Sequence, residues 1–179
     1  MGSCEIVAQA QPYTKRMADV RPLPGVRYAG APLRDAIAPP FDVVSPEQQA
    51  ELYERSPYNV IRLELGREVD RYEEAARCYR AWRTSGILRQ DVPSFYLYEQ
   101  RFTAPGGGEH TRRALIARIK LEPWSAGVVL PHEDTHSKAK DDRLQLMRAI
   151  AANVSPLFGL YDDAQGELRQ RLARVWTTP

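Results

Sequence analysis

Ala126-Gly127-Val128-Val129-Leu130-Pro131-His132-Glu133-Asp134-Thr135-His136-Ser137-Lys138-Ala139-Lys140-Asp141-Asp142-Arg143 passes from an apolar run, through a dense polar cluster, into a helical pattern. Between Pro131 and Arg143 it holds two imidazoles, four carboxylates, two ammonium groups, a guanidinium and two hydroxyls. A buried strand that ends in such a cluster and hands over to a helix N-terminus is a usual geometry for a small-molecule or phosphate site in a mixed α/β setting. Downstream, Leu144, Met147, Ala151 and Val154 share one face of a helix predicted over residues 142–153. Asp141 and Asp142 stand where the helix dipole favours anions.

The chain on either side supplies the rest of the fold. Ser45-Pro46-Glu47-Gln48 is a sharp helix start, with Ser as cap, Pro at the first helical position and Gln three residues after the cap. Ser56-Pro57 ends that helix. Ile61, Leu63 and Leu65 alternate with Arg62 and Glu64, which predicts a half-buried strand over residues 59–65. Tyr72, Ala75, Ala76, Tyr79 and Trp82 recur at helical spacing, and Gly86 provides the stop. Residues 94–102 and 113–121 are β-rich and predict an antiparallel hairpin across Ala104-Pro105-Gly106-Gly107-Gly108-Glu109. The three glycines have no GK[ST] sequel and no following helix, so they read as a hairpin tip rather than a phosphate loop. Residues 156–161 read as a short buried strand and residues 167–176 as a last helix. Strands and helices are mixed without a βαβ rhythm, so the expected class is α+β, a mixed sheet with a hairpin and packed helices.

Composition narrows the function classes. The 179 residues are 43% hydrophobic and 27% charged, which suits a globular chain with a core. Lys+Arg 25 against Asp+Glu 23 leaves a net charge of +2, with the two signs interspersed. That balance lacks the clustered basic face of a nucleic-acid binder. Cys4 and Cys78 have no CxxC spacing, which argues against a disulfide framework and for a reducing cytoplasm. No apolar run approaches the roughly 18 residues a membrane span needs. Residues 1–16 read as a disordered extension upstream of a start at Met17, and residues 17–179 as one α+β domain.

Several segments then carry a resemblance. Arg21-Pro22 with Arg27-Tyr28, Ala38-Pro39-Pro40-Phe41-Asp42-Val43, Ser56-Pro57-Tyr58-Asn59-Val60-Ile61-Arg62-Leu63, Tyr96-Leu97-Tyr98-Glu99-Gln100, Leu130-Pro131-His132-Glu133-Asp134-Thr135, Lys140-Asp141-Asp142-Arg143 and Ser155-Pro156-Leu157-Phe158-Gly159-Leu160-Tyr161 follow one another in order. Together they resemble the bacterial and archaeal family called domain of unknown function 1015. The resemblance implies a relationship to the ParB/sulfiredoxin superfamily, one branch of which includes free-serine kinases that move a phosphoryl group from a nucleotide to a hydroxyl. Family members are usually more than twice this length. Their downstream Asp-Gly-His-His-Arg motif has no counterpart here, so the chain resembles the N-terminal part of the family.

The chemistry also follows from the residues. Glu133 beside His132 is placed to take a proton from a substrate hydroxyl, given a pKa moved toward neutrality by partial burial. Lys138, Lys140 and Arg143 can hold phosphate oxygens, Arg in bidentate fashion and Lys as a point charge. Thr135, Asp42 and Asn59 are candidate substrate- or phosphate-binding neighbours. Asp42, Asp141 or Asp142 could hold Mg²⁺ beside a nucleotide, and Asp142 is the metal candidate carried forward. His132-Glu133-Asp134-Thr135-His136 has HExxH spacing, but Pro131 and the polar run around it argue for a loop rather than the helix that would put both imidazoles on one face, which argues against a zinc protease. Three readings remain open: a nucleotide- or phosphate-dependent small-molecule enzyme, a ParB-like regulatory or DNA-associated module, and a truncated inactive remnant. Against all three stands a solvated loop whose charges pair among themselves.

Overall fold

Helix α4, Arg71–Thr84, contributes to two of the hydrophobic cores. The computed structural model describes residues 17–132 and 137–176. The expected extension over residues 1–16 and the site candidates Glu133 and Thr135 lie outside them. Glu73 and Glu74 occupy the first turn of α4, where the helix dipole favours anions. Gly86, with φ +77°, lets the chain leave the helix in the left-handed conformation the sequence predicts. One stretch of α4, through Tyr72, Ala75, Ala76 and Tyr79, packs on Leu146 and Ile150 of α5, Ser137–Ile150. Trp82 turns the other way and joins a second core with Leu63 and Leu88. The two cores therefore share one helix.

Helix α2, Pro46–Arg55, begins as predicted: the Gln48 amide donates to Ser45 Oγ at 3.2 Å and Pro46 takes the first position. Its buried Leu52 and Tyr53 pack against Ile61 in a third core. Residues 59–65, expected as a strand, instead form the short helix α3, Ile61–Glu64. The physical reason is tertiary. Ile61 faces the α2 core and Leu63 faces the core around Trp82, so a single helical turn wedged between two cores buries alternate residues as a strand would. A four-residue helix α1, Leu33–Ala36, precedes α2 and buries Ala36 completely.

Among the described residues the strands pair as three separate antiparallel ladders rather than one mixed sheet. Val20–Arg21 (β1) pairs with Arg118–Ile119 (β6), and Val26–Tyr28 (β2) pairs with Leu88–Gln90 (β3). Tyr96–Thr103 (β4) and Glu109–Ile116 (β5) form a hairpin where one was predicted, in register from Tyr96↔Ile116 to Thr103↔Glu109, but its second strand starts at Glu109 and stops at Ile116 instead of spanning 113–121, since Arg118–Ile119 pair with β1. Gly107 and Gly108 take φ +84° and +89° at its tip, a backbone that only glycine adopts freely, so the glycines serve the turn. Two predicted strands are absent. Residues 126–130 are irregular after a left-handed Gly127, and residues 156–161 run exposed, with Leu157 96% and Leu160 85% accessible. Apolar runs become buried strands only where a neighbour supplies a ladder, and neither run meets one.

Helix α5 starts five residues earlier than the periodicity predicts, at Ser137 instead of residue 142. The last helix, α6, is Glu167–Trp176, with its first amides capped by Asp163: Leu168 and Arg169 donate to its carboxylate at 3.2 and 2.9 Å. Among the described residues, no helix is long and apolar enough to cross a membrane. The class is α+β: among the described residues there are six α-helices and small two-stranded antiparallel sheets.

Candidate functional site

Asp142 and Arg143 lie one turn into α5, where that helix faces the start of α4 and the end of α3. The Asp142 carboxylate is shared. Its Oδ1 accepts from Arg71 Nη2 at 2.5 Å and from the Tyr72 hydroxyl at 2.8 Å, while Oδ2 accepts from Arg143 Nε at 2.9 Å and Nη2 at 2.5 Å. Burial pushes this carboxyl up, but the hydrogen bonds from Arg143 and Tyr72 and the two guanidinium charges outweigh it, holding it below the usual range.

Arg143 is held on several sides. Its side chain is only 19% exposed. Nη2 also donates to the Glu64 carbonyl at 2.8 Å, Nη1 faces Ser155 Oγ at 3.5 Å, and the guanidinium carbon lies 3.8 Å from the centre of the Phe41 ring. That stacking distance suits a cation–π contact. The carboxyl of Glu64 is half-buried beside this charge. Burial pushes its pKa up, and the Arg143 charge offsets part of the rise. Tyr28 lies within electrostatic reach of Glu64, and its own hydroxyl donates to the Tyr58 carbonyl at 2.8 Å.

These contacts sort the sequence candidates. Arg143 is the centre of a real convergence. Asp142, picked as a metal ligand, has both oxygens taken by two guanidiniums and a phenol, an electrostatic setting that does not fit a divalent cation. Asn59 is completely buried and its amide is used inside the fold: Nδ2 donates to the Asp35 and Ile37 carbonyls at 2.9 and 3.0 Å, and Oδ1 accepts from the Ile61 amide at 3.0 Å. It braces α1 against α3. Asp42 is exposed on the 3-10 turn Phe41–Val43, next to the ring that stacks on Arg143. Lys138 and Lys140 are exposed on the first turn of α5, and His132 is exposed in the loop before it. Among the described residues, no group of three or more His, Cys, Asp or Glu is arranged to hold a metal ion.

A family model described as "Protein of unknown function (DUF1015)" matches residues 20–179. The chain belongs to that family. No curated protein and no solved structure matches it. In this DUF1015 chain some of the family-like segments, scattered along the sequence, meet around one side chain. Phe41 and Ser155 come from two of them, Glu64 directly follows a third, and all three touch Arg143. Arg71, Tyr72, Glu64, Phe41 and Ser155 are the residues around Asp142 and Arg143 that sequence reasoning did not single out as site candidates. Tyr72 read as part of the apolar face of a helix, and Arg71 beside it carried no local signal. Glu64 looked like the polar face of a strand, and only the helical turn of α3 turns its carboxyl inward.

Proposed function

We propose that this protein is a nucleotide- or phosphate-dependent small-molecule enzyme of kinase-like chemistry, related to the ParB/sulfiredoxin superfamily, with Arg143 as the residue that holds the phosphoryl group. The observation that carries the reading is the Arg143 cage itself. A guanidinium oriented by Asp142, the Glu64 carbonyl and the Phe41 ring is preorganised, so little is lost in fixing it around a ligand. A solvated loop of mutually pairing charges does not require an aromatic lid, a backbone acceptor from another helix and burial to one-fifth exposure.

In this reading Glu133, with His132 beside it, accepts the proton of a substrate hydroxyl. The hydroxyl oxygen then attacks the terminal phosphorus, and the bond from that phosphorus to the leaving nucleoside diphosphate or phosphate breaks, with Arg143 and the exposed Lys138 and Lys140 balancing the charge. Asp142 orients Arg143 rather than holding a metal.

A thermal-shift screen against ATP, ADP, pyrophosphate, phosphoserine and serine, with and without Mg²⁺, tests this. A ligand at 100 times its Kd raises stability by about 2.7 kcal/mol. The expected result is a shift with a nucleotide or phosphate that disappears in Arg143→Gln. A cooperative melt that none of these compounds moves would overturn the reading.

A further inference from the structure

We infer that Ser155 is a ligand-binding residue of the Arg143 site, and that its hydroxyl and the Nη1 edge of Arg143 hold one oxygen of a phosphoryl group between them. This rests on the reading of Arg143 as a phosphate-holding residue and names the atoms that do the holding.

A guanidinium has five N–H groups in a fixed plane. In Arg143, Nε–H and one Nη2–H go to Asp142 Oδ2, and the other Nη2–H goes to the Glu64 carbonyl. The side-on edge that usually grips a carboxylate or phosphate in bidentate fashion is therefore already committed to Asp142. Both hydrogens of Nη1 remain. Their contact among the described residues is Ser155 Oγ at 3.5 Å, the outer limit of a hydrogen bond. Ser155 accepts there, and its own hydroxyl hydrogen has no described acceptor. The Ser155 hydroxyl hydrogen and the second Nη1 hydrogen of Arg143 are thus neighbouring donors without a described acceptor, on heavy atoms 3.5 Å apart.

Ser155 is also held in place. Its amide donates to Asn153 Oδ1 at 3.1 Å, and Pro156 after it restricts the backbone. The charges around these donors favour an anion, in keeping with the phosphoryl group of the proposed function. Arg71 and Arg143 outweigh Asp142 by one charge, and the half-buried Glu64, pushed toward its neutral form, cancels less of that excess than an exposed carboxylate would. Lys140, three residues before Arg143 on the same helix, adds a cation on the same flank.

Titration calorimetry with pyrophosphate on wild-type protein, Ser155→Ala and Ser155→Thr, with the Arg143 Nε–H resonance followed in parallel, tests the inference. The expected result is that Ser155→Ala weakens binding about tenfold, as loss of a hydrogen bond to a charged group does. Ser155→Thr keeps the hydroxyl and stays within about twofold of wild type, and pyrophosphate shifts the Arg143 resonance. Unchanged affinity in Ser155→Ala, with the Arg143 resonance still moving, overturns the role of Ser155 and leaves the Arg143 reading standing. No pyrophosphate binding by wild type, or an Arg143 resonance that does not move, removes the site reading and the inference together.

Discussion

Asp142 binds Arg71 across the α4–α5 interface, with Oδ1 2.5 Å from Nη2, and the same carboxylate holds Arg143 through its other oxygen. One side chain therefore fastens two helices and aims the guanidinium at the centre of the candidate site. The Asp142 side chain is 17% exposed, so screening by water is limited. Asp142→Asn keeps the shape but leaves two guanidiniums facing a neutral amide. The expected loss is about 3 kcal/mol, read from urea unfolding at neutral pH. Because the folded carboxyl titrates below its ordinary value, its contribution is complete above the unfolded pKa and is lost as pH falls through the folded one. The gap between wild type and Asp142→Asn should therefore close in acid. A gap that persists unchanged to pH 2 would rule out the ion pairing as its source.

Phe41 acts on the same guanidinium from its face. With Cζ 3.8 Å from the ring centre, the stacking should be worth about 1 kcal/mol beyond the apolar contact. A double-mutant cycle of Phe41→Leu and Arg143→Gln separates that coupling from the bulk effects of either change. The expected coupling is about 1 kcal/mol, and a value near zero would mean the ring and the guanidinium merely lie side by side.

How much of this was legible in the sequence depends on whether the deciding interaction was local. The Ser45-Pro46 cap, the spacing from Tyr72 to Trp82, the Gly86 stop and the 96–116 hairpin rest on neighbours a few residues apart, and all were readable. Residues 59–65 were misread because Ile61 and Leu63 go to different cores, which no local pattern records. The apolar runs at 126–130 and 156–161 were misread because apolarity alone does not provide a partner strand. At the site, the chemistry of Asp142 and Arg143 was visible, but not the pairing that decides their roles. Arg71, Glu64 and Phe41 reach them from distant parts of the chain.

Glu64 gives a pH dependence of opposite sign to that of Asp142. Burial raises its folded pKa above the unfolded value of 4.5, so its ionisation opposes folding. Its contribution is fully present below the unfolded pKa and is lost as pH rises through the folded one. Glu64→Gln is therefore expected to melt higher than wild type at pH 7.5, with the advantage shrinking as pH is lowered toward 4. Melting curves at a series of pH values check this. A variant that melts lower than wild type at neutral pH would show that the Arg143 charge dominates over burial.

Asn59 separates a structural amide from a ligand-binding one. Its three hydrogen bonds join Asp35 and Ile37 at one end of α1 to the first turn of α3, and the side chain is fully buried. Removing it leaves two carbonyls and an amide without partners in a place water does not reach. Each buried unsatisfied group costs roughly 1–3 kcal/mol, so Asn59→Ala should lose about 3 kcal/mol or more. In a chain of this size that lowers the melting temperature by roughly 10 °C. Asn59→Asp should do no better, since it sets a carboxylate oxygen against the Asp35 and Ile37 carbonyls in place of two N–H donors. An amide that faced a ligand would behave otherwise: the alanine variant would keep its melting temperature and lose only affinity for pyrophosphate or nucleotide. Comparing both readouts on the same variant decides between the two roles, and the contacts around Asn59 put the loss in stability.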